Sequence, residues 1–286
     1  MAASDEGRRA PWYIPWLLLG PGLIWLAVFF VIPMITLFRR SLLRGGASNY
    51  GWVFSRNSET LLRTFTYALA ATLIAILIGY PLAYFIAMKG GKLKNVLLSL
   101  VVLPFFTTYL IRTLSWKILL FGNGPVVGII KRLHLVGLLS AIGLVSSEGE
   151  ILGRAPAVVG ALVYNFLPFM VLPIYVSLEK VDRRLLEAGP DLYADGRRTF
   201  RKVTLPLSLP GVFAGSLLTF IPACGDFINS ELLGSDKTRM IAQIVSETFS
   251  KEAFQPKDSA ISFVLMALIL LGVLTYARLL GTEDLM

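Results

Sequence analysis

Long apolar runs separated by short polar stretches dominate this chain. Trp16 to Phe38 carries no charge, and at 1.5 Å of rise per residue it crosses a hydrocarbon layer about 30 Å thick. Similar runs follow at Tyr67 to Met88, Val96 to Phe121, Pro156 to Leu178, Leu207 to Ile228 and Ser259 to Ala277. They predict an all-α membrane protein with six transmembrane helices in one bundle. Trp12, Tyr13 and Trp16 stand at the start of the first run, where aromatic rings anchor a helix at the interface. That run is too long for a signal-peptide core and no small-residue cleavage site closes it, so it is expected to stay as the first span. Gly79-Tyr80-Pro81 predicts a kink near the end of the second span, and Pro210-Gly211 and Pro222 predict breaks in the fifth.

The polar stretches differ in kind. Residues 39–60 read as a loop with room for a short surface helix, and 122–155 as a longer loop rich in glycine. In the polar segment 231–258, Met240, Ile241, Ile244, Val245 and Phe249 share one helical face, which predicts a short helix lying on the outer surface by interfacial packing. Residues 179–206 form a charged island with two apolar sets. Val181, Leu185, Leu186 and Ala188 make the first, Gly189-Pro190 interrupts, and Leu192, Tyr193, Phe200, Val203 and Leu205 make the second. A merely solvated loop needs no apolar faces, whereas a loop that docks into a protein groove does. The division that follows is an N-terminal segment, 1–15, and a single transmembrane domain, 16–286, with the island as its docking loop.

Composition agrees: 55% of residues are hydrophobic and 16% charged, with mean hydropathy +0.70. The net charge of +9 comes from clusters that flank apolar runs and form no single stripe, which argues for membrane topology and against nucleic acid. Six spans put both termini on one side. Thirteen Lys and Arg fall on that side against eleven in the three opposite loops. The thirteen sit in short segments close to span ends, so the termini are expected to be cytoplasmic. Cys224 is the one cysteine and lies in an apolar run, His134 is the one histidine and has no ligand-spaced neighbour, and no Walker A pattern occurs. No catalytic set and no metal site is predicted. An intramembrane enzyme would need a paired nucleophile and base, or clustered ligands, inside the spans.

Glu187-Ala188-Gly189 followed at the right distance by Val203-Thr204-Leu205-Pro206 resembles the signature of the permease subunits of bacterial ABC importers. Gly189 replaces the second alanine of that signature, and Tyr193 stands at its glycine position, with Gly196 three residues on. The resemblance implies a cytoplasmic coupling helix, with Glu187, Ala188, Gly189, Asp191, Tyr193 and Gly196 facing an ATP-hydrolysing partner. Leu103 to Trp116, followed by Gly122-Asn123-Gly124, and Ile221 to Gly234 are similar to the third and fifth spans of the spermidine/putrescine (polyamine) branch, as is Gly79 to Tyr84 in the second span. The family implies an ATP-binding cassette ATPase dimer that carries ATP and Mg, a second permease, and an extracytoplasmic substrate-binding protein, all at the bacterial inner membrane. It implies no cofactor bound by this chain itself. The same transporter class with thiamine, ferric iron or another small solute is the alternative cargo reading.

Phe105, Tyr109, Arg112 and Trp116 fall at i, i+4, i+7 and i+11, on one helix face. That face serves either as a packing stripe or as a translocation path on which rings meet ammonium groups. Arg112 opposes a cationic cargo unless neutralised, and Asp226 or Glu231 is its expected partner by depth. Asp226, Asn229 and Glu231 form a candidate polar cluster, in which Asp226 either makes an interfacial salt bridge, caps the helix from Asn229 onward, or receives an amine from a docking partner.

Overall fold

The computed structural model describes residues 13–122, 124–182, 184–186, 195–249 and 255–279. All regular structure among them is helical, and six segments are long and apolar enough to cross a membrane. The first span consists of α1 (Ile14–Leu26) and α2 (Ile32–Ser41), joined by a π-helical turn over Ala27–Val31. None of its apolar window is buried in the protein.

The second span belongs to α3 (Ser48–Tyr84), a helix of 37 residues that is about 55 Å long at the usual rise. Residues 39–60 are therefore not the expected loop, because their polar side chains build a helix–helix turn. Asn49 Nδ2 donates to the Ser41 and Leu43 carbonyls at 2.9 and 3.1 Å, and Ser41 Oγ and Tyr50 Oη share a hydrogen bond of 2.6 Å. Those contacts satisfy carbonyls that the end of α2 would otherwise leave without a donor. Val53 of the same stretch and Leu61 just beyond it are buried against Ile241, Ala260 and Ile261. At its far end α3 runs through Pro81 into a π turn over Phe85–Lys89.

The third span is made of α4 (Lys94–Val102), a 3-10 turn over Leu103–Phe106, and α5 (Tyr109–Leu120). Pro104 cannot continue the helical ladder, and Thr107 and Thr108 have ψ of 138° and 140°. Phe105 thus sits on a different helix from Tyr109, Arg112 and Trp116, contrary to the one-helix expectation. Beyond it, α6 (Pro125–Arg132) and α7 (Val136–Ala141) occupy part of the expected loop, and α8 (Ala155–Glu179) is the fourth span. By length and apolarity alone, Tyr109–Arg132 would be the third crossing. Side-chain contacts place it earlier: Lys94 meets Glu179, Phe105 meets Phe169, Tyr109 meets Phe166 and Trp116 meets Tyr164. This antiparallel ladder sets α4 and α5 along the length of α8.

From the second half of the island onward, α9 (Gly196–Thr199), a π turn over Phe200–Thr204 and α10 (Leu205–Cys224) form one helical segment. The fifth span therefore starts well before Leu207, and Pro210 and Pro222 lie inside α10 without ending it. Asp195 begins it by accepting a hydrogen bond from the Arg198 N–H at 2.8 Å, the usual work of a capping carboxylate. Close packing depends on Gly211 and Gly215, one turn apart. A Cβ on Gly211 would stand 2.5 Å from the Pro173 carbonyl oxygen, and one on Gly215 would stand 3.0 Å from that of Met170. Small residues at this spacing let two membrane helices meet backbone to backbone. Met170, Val171 and Ile174 of α8 fill the core with Ala68, Ala71 and Ala75 of α3.

The chain continues through α11 (Ile228–Leu233), α12 (Ile241–Phe249) and the sixth span, α13 (Pro256–Leu279). The apolar face of the α12 segment is buried at one end, while Phe249 at the other end is exposed. Met240 and Ile241 are fully buried, and the Ile241 N–H donates to Thr64 Oγ1 of α3 at 2.9 Å.

Candidate functional site

The break after Pro104 and the start of α11 bring two sets of residues together beside α8. Asp226 Oδ1 accepts from the Asn229 N–H at 2.8 Å, so it caps α11, and Oδ2 accepts from the Tyr109 hydroxyl. Asn229 is the hub. Its Nδ2 donates to Tyr109 Oη at 2.7 Å and to Asp226 Oδ2 at 3.3 Å, while its Oδ1 accepts from Thr113 Oγ1 at 3.1 Å and from Asn165 Nδ2 at 3.3 Å. Asp226, Asn229, Asn165 and Thr113 are all buried. A polar group in such a site must be paired or it costs about 1–3 kcal/mol, and this network pairs most of its atoms.

An aromatic wall stands next to the cluster. Phe105 packs edge-on against Phe169 at 5.2 Å, Trp116 meets Tyr164 at 5.5 Å, and Tyr109 meets Phe166 at 6.4 Å. The Arg112 guanidinium lies over the Phe105 ring at 5.2 Å and over the Tyr109 ring at 5.5 Å. Neither Asp226 nor Glu231 is its partner, contrary to expectation: among the described residues no carboxylate pairs with Arg112. Glu231 is exposed on α11 and stands apart from the cluster. Tyr109, Arg112, Asp226 and Asn229 are therefore brought together, Phe105 and Trp116 flank them, and Glu231 does not join. The sequence reading missed Asn165 and Thr113. A lone asparagine in the apolar run of α8 was the available signal for the first.

At the opposite end of α8, Lys94 Nζ donates to Glu179 Oε1 at 2.5 Å and lies 5.1 Å above the Tyr175 ring. Tyr80 and Tyr84 of α3 both meet Phe200 edge-on, and Tyr80 Oη hydrogen-bonds Ser208 Oγ at 2.8 Å. Phe200 thus faces inward, so this part of the island's second apolar set serves the bundle and not a docking face. Gly196 is the first residue of α9. Glu187, Ala188, Gly189, Asp191 and Tyr193 lie outside the described residues. His134 ends a turn with φ of 54°, and among the described residues no three His, Cys, Asp or Glu side chains gather as a metal-holding group.

The buried polar cluster and its aromatic rings thus stand toward one end of α8, and the Lys94–Glu179 pair at the other. The family model described as binding-protein-dependent transport system inner membrane component matches residues 75–280. The chain belongs to this family. It is accordingly a multi-pass transport component of the inner membrane and not an enzyme. Two relatives are spermidine/putrescine transport system permease proteins PotB. That of Escherichia coli K12 is 36% identical over 265 residues, covering 89% of this chain and 93% of that protein. That of Haemophilus influenzae is 37% identical, covering 89% and 90%. Among solved structures, a bacterial ABC transporter involved in alginate import has a TM-score of 0.67 at 18% identity, covering 93% of this chain and 94% of that one. The inward-facing methionine transporter MetNI gives 0.56 at 17% identity, covering 80% and 94%. These structures share the fold of this family member.

Proposed function

We propose that this chain is a permease subunit of an ATP-driven importer for spermidine and putrescine. The observation that carries the reading is the 36% identity to a PotB permease over nearly the full length of both chains. The site's chemistry supports it. Protonated polyamines present ammonium groups on flexible carbon chains, and the Asp226 carboxylate with the Phe105, Tyr109 and Trp116 rings offers one charge and several weak cation–π contacts. Such contacts hold a cation without trapping it, which transport requires.

In this reading the cargo arrives from an extracytoplasmic binding protein and passes between this chain and a second permease. ATP and Mg bind to a separate ATPase dimer. Glu187, Ala188, Gly189, Asp191, Tyr193 and Gly196 of the loop 179–206 meet that dimer, inside a single domain spanning 16–286. Residues 1–15 and the C-terminus then face the cytoplasm. Nucleotide-driven movement of the loop passes to α8 at Glu179 and to α4 at Lys94, and the spans reorient around the buried cluster. A cell lacking this chain should lose uptake of labelled spermidine, and excess thiamine or ferric iron should not compete in the wild type. Unchanged spermidine uptake in the deletion would refute the proposal.

A further inference from the structure

Arg112 is more than nine-tenths buried, yet among the described residues no acceptor reaches its Nε or Nη1. Its guanidinium lies over the faces of Phe105 and Tyr109. An arginine placed in a membrane span without a carboxylate or carbonyl partner is costly, at least about 2.5 kcal/mol near the bilayer centre. Asp226, equally buried, is in the converse position. Among the described residues every group that donates to its carboxylate, the Tyr109 hydroxyl and the Asn229 N–H and Nδ2, is a neutral donor.

Opposite charges thus meet the same residue without meeting each other. Tyr109 gives its hydroxyl to Asp226 and its ring face to Arg112. A stable fold would gain by closing the pair, since a carboxylate and a guanidinium bond with matched, two-pronged geometry. Keeping them apart leaves the carboxylate open to a transient cation. It also leaves a resident cation on the rings that the same visitor would use. Only one of the two cations can occupy those ring faces or that carboxylate at a time.

We propose that Arg112 is the release cation of this site: it competes with an ammonium group of the cargo for Asp226 and the Phe105–Tyr109 faces, and expels it when the spans reorient. This rests on the reading of the cargo as a polyamine. Arriving ammonium displaces the Tyr109 hydroxyl from Asp226. Arg112, already on the Tyr109 ring, then moves onto the carboxylate and the cargo leaves. Arg112 is a positioning and release group in this scheme and binds no cargo itself.

Equilibrium binding of labelled spermidine to the purified permease–ATPase complex, without binding protein, tests this. Removing the competitor should strengthen binding, so Arg112→Gln should lower the Kd about tenfold while slowing ATP-driven uptake. Asp226→Asn should weaken binding, and the double variant should follow Asp226→Asn. A gain in affinity is not something a merely structural arginine produces when lost. If the Gln variant fails to assemble, Arg112→Lys carries the test. A point-charge ammonium competes less well than a guanidinium for a carboxylate, so its Kd should fall by a smaller factor. Equal or weaker binding by Arg112→Gln, or by Arg112→Lys where that variant stands in, overturns the inference while leaving the polyamine reading in place. A wild-type complex that neither binds nor imports spermidine overturns both.

Discussion

Lys94 and Glu179 fasten the first residue of α4 to the last residue of α8, Nζ to Oε1 at 2.5 Å. The pair lies at the entrance to the charged island, so it ties the third span to the segment proposed to receive force. Both side chains are partly exposed, at 26% and 48%, and an exposed pair is worth no more than about 1 kcal/mol. Lys94→Glu should therefore leave the melting temperature nearly unchanged but lower the cargo moved per ATP hydrolysed. Exchanging both residues, Lys94→Glu with Glu179→Lys, should restore that ratio. A swap that fails to recover coupling would remove the clasp from the account.

Gly211 has no room for a side chain. The nearest atom to an added Cβ is a backbone oxygen, Pro173 O, followed by Ser177 Oγ and Cβ at 2.6 and 2.8 Å, and a backbone oxygen cannot rotate away. Gly211→Val should destabilise the bundle by about 1–3 kcal/mol or abolish folding. Gly160→Ala on α8, where nothing lies within 4 Å, should be neutral. Thermal melting of the two purified variants separates these outcomes.

Asn229→Ala removes the hub of the buried cluster. Asn165 Nδ2 loses its acceptor, Thr113 Oγ1 keeps only the Tyr109 carbonyl at 3.2 Å, and Tyr109 loses a donor, at roughly 1–3 kcal/mol for each group left unpaired. The variant should melt well below wild type, whereas Tyr109→Phe, which removes one hydroxyl and keeps the ring, should melt closer to it.

Asn49→Ala tests the turn between α2 and α3. Two carbonyls, of Ser41 and Leu43, lose their donor, for about 1–2 kcal/mol. Limited proteolysis should cut the variant near residues 42–47 faster than wild type, and equal cutting rates would show that the turn does not depend on Asn49.

Much of this fold is legible in the residues because a bilayer leaves a chain few options. Each of the six runs overlaps a span, although the second and fifth helical segments begin well before Tyr67 and Leu207, and Asp226 and Asn229 stand out as polar residues near a span end. What the residues conceal is tertiary. Residues 39–60 look like loop because their polar side chains face protein carbonyls and neighbouring hydroxyls, and polarity alone does not distinguish those from water. Helical spacing put Phe105 in register with Tyr109, and Pro104 with the extended Thr107 and Thr108 broke that helix while preserving the contact with Arg112. Depth suggested an Arg112–Asp226 pair, but Tyr109 stands between them. Phe200 read as part of a docking face because its partners, Tyr80 and Tyr84, are more than a hundred residues away in sequence.

The central claim is tested most directly by labelled spermidine uptake into proteoliposomes holding this chain with its ATPase, second permease and binding protein. The account predicts uptake that requires ATP and the binding protein, and that falls to background with Glu187→Ala while the complex still assembles. Uptake that proceeds without ATP, that is indifferent to Glu187, or that occurs for another solute and not for spermidine would contradict it.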